Sequence, residues 1–370
     1  MDEYPVSFED SRSRFIHSLD LVRKKWPQAR LESHPLKEYP ALSIDWIRAD
    51  APRPENLVLI STGEHGIEGF VGSAMMKLFI EEFLPRLDPD TTGLLLVHAI
   101  NPWGMQNFRK VNENSVDLNR NFVSGEFDPD INPDFLKLKY LLNPRQPARS
   151  FLLENLLFGA RLVKALLTAG AASISNAALY GQSRTPDGIF YTGTQPEEET
   201  LVLMGLFRLV LEKYRTVIHL DMHSGYGPRT QMNLSLSQLE PLSSAEISTK
   251  FNYPLALKVA PGEFYAMFGD MTAWYYDLRN AEFPDRTFLA CAFEFGTFGD
   301  SLLDRIRSLR AMVFENQLHS FGAVNETSAD LIRREFRELY LPSDGAWREK
   351  ALADGRLAFD GILRAYGLLV

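Results

Sequence analysis

The sequence predicts an α/β fold: a mixed, mostly parallel twisted sheet flanked by helices. Three observations carry this. Short β-rich runs alternate with helical stretches through the first hundred residues. The strand–helix–strand order there argues for a mixed or parallel sheet flanked by helices. The chain has 370 residues, 45% of them hydrophobic and 24% charged, enough to build one large core. A single domain over 1–370 is the expected organisation.

Taken in order, residues 8–26 read as a helix, and "ALSIDWIRA" reads as a strand. "NLVLIST" is a short β-rich run that ends at Gly63, and "GIEGFVGSAMMKLFIEEFL" follows with helical periodicity. "TGLLLVHAI" is a strand stopped by Asn101-Pro102. Residues from about 125 to 183 differ. "DPDINPD" and "LNPRQP" are turn-rich, and helical patterns follow near 150–167 and 171–180, so this stretch reads as a helical insertion. "EEETLVLMGLFRLVLEKY" is an amphipathic helix with acids in its first turn, where the helix dipole favours them. "TVIHLDMH", "PLALKVA" and "TFLACAFEF" are the remaining strand candidates, and a charged helical tail covers about 330–370.

Composition excludes several functions. A formal net charge of −9, with no stripe of Lys and Arg among aromatics, argues against nucleic acid as partner. The lone Cys291 sits in an apolar run, so neither a disulfide nor a cysteine-based zinc site is available within the chain. The start, "MDEYPVSFEDSRSRF", is acidic and does not read as a secretory signal. "FLLENLLFGARLVKALLTAGAA" comes closest to a membrane span, but Glu154, Arg161 and Lys164 interrupt it. No membrane association is expected, and the cytoplasm is the expected location.

The chemistry is concentrated in four stretches. In "STGEHGIEGF", His65 and Glu68 lie three apart at the opening of a helix, on one face of a turn. An imidazole and a carboxylate so placed are two legs of a zinc site, which needs a third ligand and an open position. Alone the pair reads more readily as a surface ion pair at a helix start. "VIHLDMHSGYG" offers His223 at a strand end, where α/β sheets place their sites, with His219 and Asp221 on the same strand face. Asp221 is a candidate to orient His223, and His219 reads as a hydrogen-bonded core histidine. "NFRKVNENSVDLNRNF" supplies Arg109, Asn119 and Arg120, donors suited to carboxylates and developing oxyanions. "FLACAFEFG" sets Glu294 near the end of an apolar strand, a costly place for a carboxylate with no task.

In this order H-x-x-E, R-K, "VDLNRNF", H-S-G, and then Tyr and Glu, the chain resembles the zinc carboxypeptidase superfamily, which also holds the aspartoacylase and succinylglutamate desuccinylase enzymes. The matches span 63–296. The resemblance implies Zn2+ held by His65, Glu68 and His223. It implies Arg109 polarising the scissile carbonyl, Asn119 and Arg120 gripping a terminal carboxylate, Glu294 as catalytic base, and Tyr265 in a mobile loop. It departs from the digestive enzymes in a short segment between Arg109 and Asn119 and a long one between Asn121 and His223. Asp270, Met271 and Thr272, where the specificity pocket would be floored, match no simple preference.

The implied reaction is metal-assisted hydrolysis of an amide next to a free carboxylate, with Glu294 taking a proton from water and returning it to the leaving nitrogen. A small peptide is the first expected substrate. The alternative is an acylated amino acid, cleaved by an N-acyl-amino-acid deacylase of the aspartoacylase type. A non-catalytic metal or ligand-binding protein is a third reading, disfavoured by Glu294. A structural role for Arg120, paired with Asp117 or Glu113, competes with carboxylate binding.

Overall fold

The computed structural model describes residues 3–258 and 268–369. Tyr265 and the end of "PLALKVA" lie outside them. Helix α1 (Phe8–Arg23) starts where the Ser7 side chain accepts from Asp10 N. Strands β1 (Arg30–Pro35), β2 (Ser43–Ala49) and β3 (Asn56–Thr62) follow. A 3₁₀ turn, Gly66–Glu68, leads into α2 (Gly69–Leu78), which runs on through a π turn at Phe79–Phe83. Strand β4 (Thr92–His98) leads to a short α3 (Pro102–Gln106), whose Asn101 cap accepts from Gly104 N.

Next come α4 (Pro133–Leu142), α5 (Phe151–Thr168), α6 (Gly170–Leu179) and α7 (Glu198–Lys213). Strands β5 (Thr216–Ser224) and β6 (Met232–Leu236), helix α8 (Ser244–Phe251) and strand β7 (Ala256–Lys258) complete the middle of the chain. The last part is α9 (Met271–Glu282), β8 (Thr287–Phe295), α10 (Leu302–Phe321), α11 (Glu326–Tyr340) and α12 (Gly345–Ala365).

The eight strands form one sheet in the order β1-β2-β4-β3-β5-β8-β6-β7. The central four, β4-β3-β5-β8, are parallel, and antiparallel pairs flank them on both sides, so the sheet is mixed and mostly parallel as expected. Each central strand is buried on both faces. Val58 and Ile60 of β3 join a core with Met75 and Phe79 near α2 and Phe359 of α12; Leu57 and Leu59 join another with Phe207 of α7 and Tyr275 of α9. This two-sided burial is why these segments read as continuous apolar runs.

From β3 the chain crosses to β4 on one side, and β5 enters on the other. Such a reversal opens a crevice at the carboxyl ends of the strands. Several elements escaped the sequence reading, among them β1, a polar edge strand, β6, only five residues long, α4 in the stretch taken as turns, and the helices α3, α8, α9 and α10. Asn132 as N-cap and Pro133 at the first helical position explain α4. The insertion helices share a core with Val313 and Phe314 of α10 and Ile332 of α11. Among the described residues no single helix is long and apolar enough to cross a membrane; α5 and α6 pass that test only as a pair bent by 119°.

Candidate metal centre

His65 leaves β3 in extended conformation and caps the 3₁₀ turn that carries Glu68. Gly66 makes that turn possible. A Cβ there would lie 2.2 Å from the Gly104 carbonyl carbon and the Met105 nitrogen of α3. His223 arrives from the end of β5, and its neighbour in register on β8 is Glu294. The structure therefore gathers His65, Glu68, His223 and Glu294 at the crevice.

Glu68 is the centre of the group. One oxygen is 2.9 Å from His65 Nδ1 and the other 3.1 Å from His223 Nδ1, while Ser224 N donates to it at 2.9 Å. Burial alone would raise this carboxyl, but the His65 charge and hydrogen bonds from both imidazoles bring it down to about 2. Both rings are held from behind. His65 Nε2 is 3.1 Å from Asp117 Oδ1, and His223 Nε2 is 2.5 Å from Asp221 Oδ2. Asp221 also accepts from Ser61 Oγ, which contacts His219 Nε2 at 2.7 Å. His219 itself is buried, and desolvation lowers it to about 4.

The donor set fits a zinc ion. The ligand atoms of His65, Glu68 and His223 all lie within 4.8 Å of one another. Two imidazoles and one carboxylate are a catalytic zinc set with a position left open, and carboxylates behind metal-binding histidines are the usual support. Glu64 adds a further carboxyl. It is buried, neither oxygen has a hydrogen-bond partner among the described residues, and the nearest cationic atom is His223 Nε2 at 3.5 Å. Desolvation and the Asp221 charge push its carboxyl well up. Glu294, partly accessible, is raised to about 8, chiefly by desolvation and further by the Glu68 charge, with His223 opposing.

The polar loop departs from expectation. The Arg109 guanidinium does not reach the histidines; it pairs with Glu315 of α10, Nε to Oε1 at 3.0 Å. The next residue, Lys110, faces the site instead, its Nζ 2.8 Å from His65 Nε2 and 2.5 Å from Asp117 Oδ2. A left-handed Phe108 (φ +54°), stacked on Phe70, turns the chain just before this point. Arg120 is also committed. It bonds Asp117, the pairing weighed from sequence, donates to the Leu179 carbonyl at 2.9 Å and lies over the Phe190 ring. Asn119 Oδ1 accepts from Met271 N at the start of α9.

Residues 4–354 match a family model described as "Protein of unknown function (DUF2817)". The chain belongs to that family. No curated protein matches it. Among solved structures, this DUF2817 chain is similar to bovine thrombin-activatable fibrinolysis inhibitor, solved in complex with tick carboxypeptidase inhibitor, at 15% identity over 86% of this chain and 97% of that one, TM-score 0.48. It is similar to carboxypeptidase A from Helicoverpa armigera at 14% identity over 90% and 74% of the two chains, TM-score 0.45. It is similar to a succinylglutamate desuccinylase from Silicibacter sp. TM1040 at 13% identity over 80% and 67%, TM-score 0.38.

Four groups at the DUF2817 site were not singled out as site residues from sequence. Glu64, Lys110 and Asp117 stood inside the motifs read for other residues, so spacing pointed near them without choosing them. Tyr340 gave no signal at all. It comes from the end of α11, packs its ring on Phe336, and fills the space a Cβ on Gly225 (φ +112°) would need. Ser224 Oγ donates to the Tyr340 carbonyl and Thr297 Oγ1 to that of Leu339, which ties the helix end to the loops after β5 and β8.

Proposed function

We propose that the chain is a zinc-dependent hydrolase that cleaves an amide bond next to a free carboxylate, as a carboxypeptidase-like metallopeptidase does. One observation carries the reading. Two Nδ1 atoms face the two oxygens of a single glutamate, each imidazole is backed by its own aspartate, and a carboxyl raised by burial stands on the adjoining strand. A purely structural ion cluster has no need of the last group.

His65, Glu68 and His223 would hold the metal. When bound, zinc supplies Lewis-acid polarisation of the amide carbonyl and lowers the pKa of water toward neutrality. Glu294 accepts a proton from the attacking water and delivers it to the leaving nitrogen. Asp117 and Asp221 hold the imidazoles in register. A second reading, an N-acyl-amino-acid deacylase, keeps the same ligand set and the same base and changes only the acyl side of the amide.

The test is a panel of dipeptides and N-acyl amino acids, assayed with zinc against Glu294→Gln. Turnover is expected in the wild type, with Glu294→Gln keeping its metal and losing at least about a hundredfold in kcat. Cleavage of dipeptides alone would select the peptidase, and of acyl amino acids alone the deacylase. Near-normal turnover by Glu294→Gln would remove it as the base.

A further inference from the structure

This inference rests on the hydrolase reading and names the residue that reads the substrate's charge. Three cations, Arg109, Lys110 and Arg120, stand in one stretch of chain beside the centre. Two are spent. The Arg109 side chain is 4% exposed and paired with Glu315, and that of Arg120 is 3% exposed with donors on Asp117 and Leu179. The Lys110 side chain is 11% exposed and ends on a flexible stem.

Its present partners cannot both persist once the site is loaded. An imidazole that gives its Nδ1 lone pair to a metal carries its ring proton on Nε2. In His65 that proton has an acceptor in place, Asp117 Oδ1 at 3.1 Å. The same Nε2 then has nothing to offer the Lys110 ammonium at 2.8 Å, where donor would face donor. Asp117 keeps Arg120 on Oδ2 and does not need the lysine to remain neutralised.

We propose that Lys110 leaves His65 when the ring's Nδ1 is given to a metal, and that its ammonium then binds the substrate carboxylate adjoining the cleaved amide. Lys110, not Arg120, is thus the main source of the preference for an acid over its amide.

Two measurements test this. The first needs no turnover. Limiting labelling with an amine-acylating reagent, read by peptide mass spectrometry, is compared with zinc and with chelator. Lys110 labelling is expected to rise several-fold with zinc and to fall again on adding N-acetyl-L-alanine but not its amide, while the exposed Lys24 and Lys37 stay constant. Labelling of Lys110 that is unchanged or reduced by zinc overturns the release. The second compares Lys110→Met with wild type on one dipeptide and its C-terminal amide. The acid-over-amide preference in kcat/KM should fall roughly tenfold to a hundredfold, mainly through KM, with Lys110→Arg recovering part of it. Equal losses on acid and amide, or no loss, would make Lys110 structural. A wild type that cleaves no amide defeats the hydrolase reading alone, and zinc-dependent labelling with protection by N-acetyl-L-alanine still decides the lysine's role.

Discussion

Glu199 shows how a single buried carboxyl can shape pH behaviour away from the centre. It lies in the first turn of α7, buried, with Asn112 Nδ2 at 3.4 Å from both its oxygens. Burial, and after it the Glu113 charge, raises it from 4.5 to about 8. The folded chain therefore holds this proton more tightly than the unfolded chain does. The contribution to stability is complete below about pH 4.5 and is lost progressively as pH rises to about 8. Glu199→Gln should remove that dependence and gain on the order of 3–4 kcal/mol at pH 8 relative to its effect at pH 5. Urea melts at four pH values between 5 and 8 measure it. Parallel stability curves for the two proteins would show that Glu199 is already ionised in the fold.

At the scale of elements, the centre depends on how the 3₁₀ turn Gly66–Glu68 packs against α3. Ile67 N and Gly66 N donate to the carbonyls of Arg109 and Lys110, so one short segment fixes both proposed ligands, His65 and Glu68, and the cation-bearing loop. Gly66→Ala would place a carbon inside van der Waals contact of the α3 backbone, which cannot yield as a side-chain tip can. The expected cost is more than about 2 kcal/mol, together with reduced metal content, because His65 and Glu68 must move with the turn. Thermal melts and metal analysis on the same sample check both effects. Wild-type stability with full metal would mean that the turn has space it does not show.

The whole molecule gathers its carboxyl groups at one place. Glu64, Glu68, Asp117, Asp221 and Glu294 converge at the crevice with Lys110, Arg120 and the two imidazoles, and the crowding and burial hold Glu64 and Glu294 in their protonated forms. A divalent cation held there would favour the ionised carboxylates, and only the folded chain assembles these donors, so its binding would add to stability by mass action, about 2.7 kcal/mol at a hundredfold excess over Kd. Zinc should raise Tm by several degrees, chelator should reverse the rise, and the double variant His65→Ala, His223→Ala should show neither. A zinc shift that survives in the double variant would place the metal elsewhere.

The sequence by itself determined the elements whose physics is local. Strands buried on both faces wrote themselves as apolar runs, and α7 declared its start by its acids. His65 and Glu68 could be paired because three residues of helical turn bring them together whatever the rest of the fold does. Tertiary structure alone decided the remainder. That His223 meets Glu68 across 155 residues depends on β3 and β5 being neighbours in the sheet. Arg109 and Lys110 are adjacent cations with the same backbone signals, and only the positions of Glu315 and Asp117 turn one toward α10 and bring the other to the histidines. Tyr340 is placed by a helix docking on Gly225, an event no local pattern records. Short-range spacing fixes which groups can share a turn, whereas the direction of a side chain with several possible partners is set by which partner the folded chain presents.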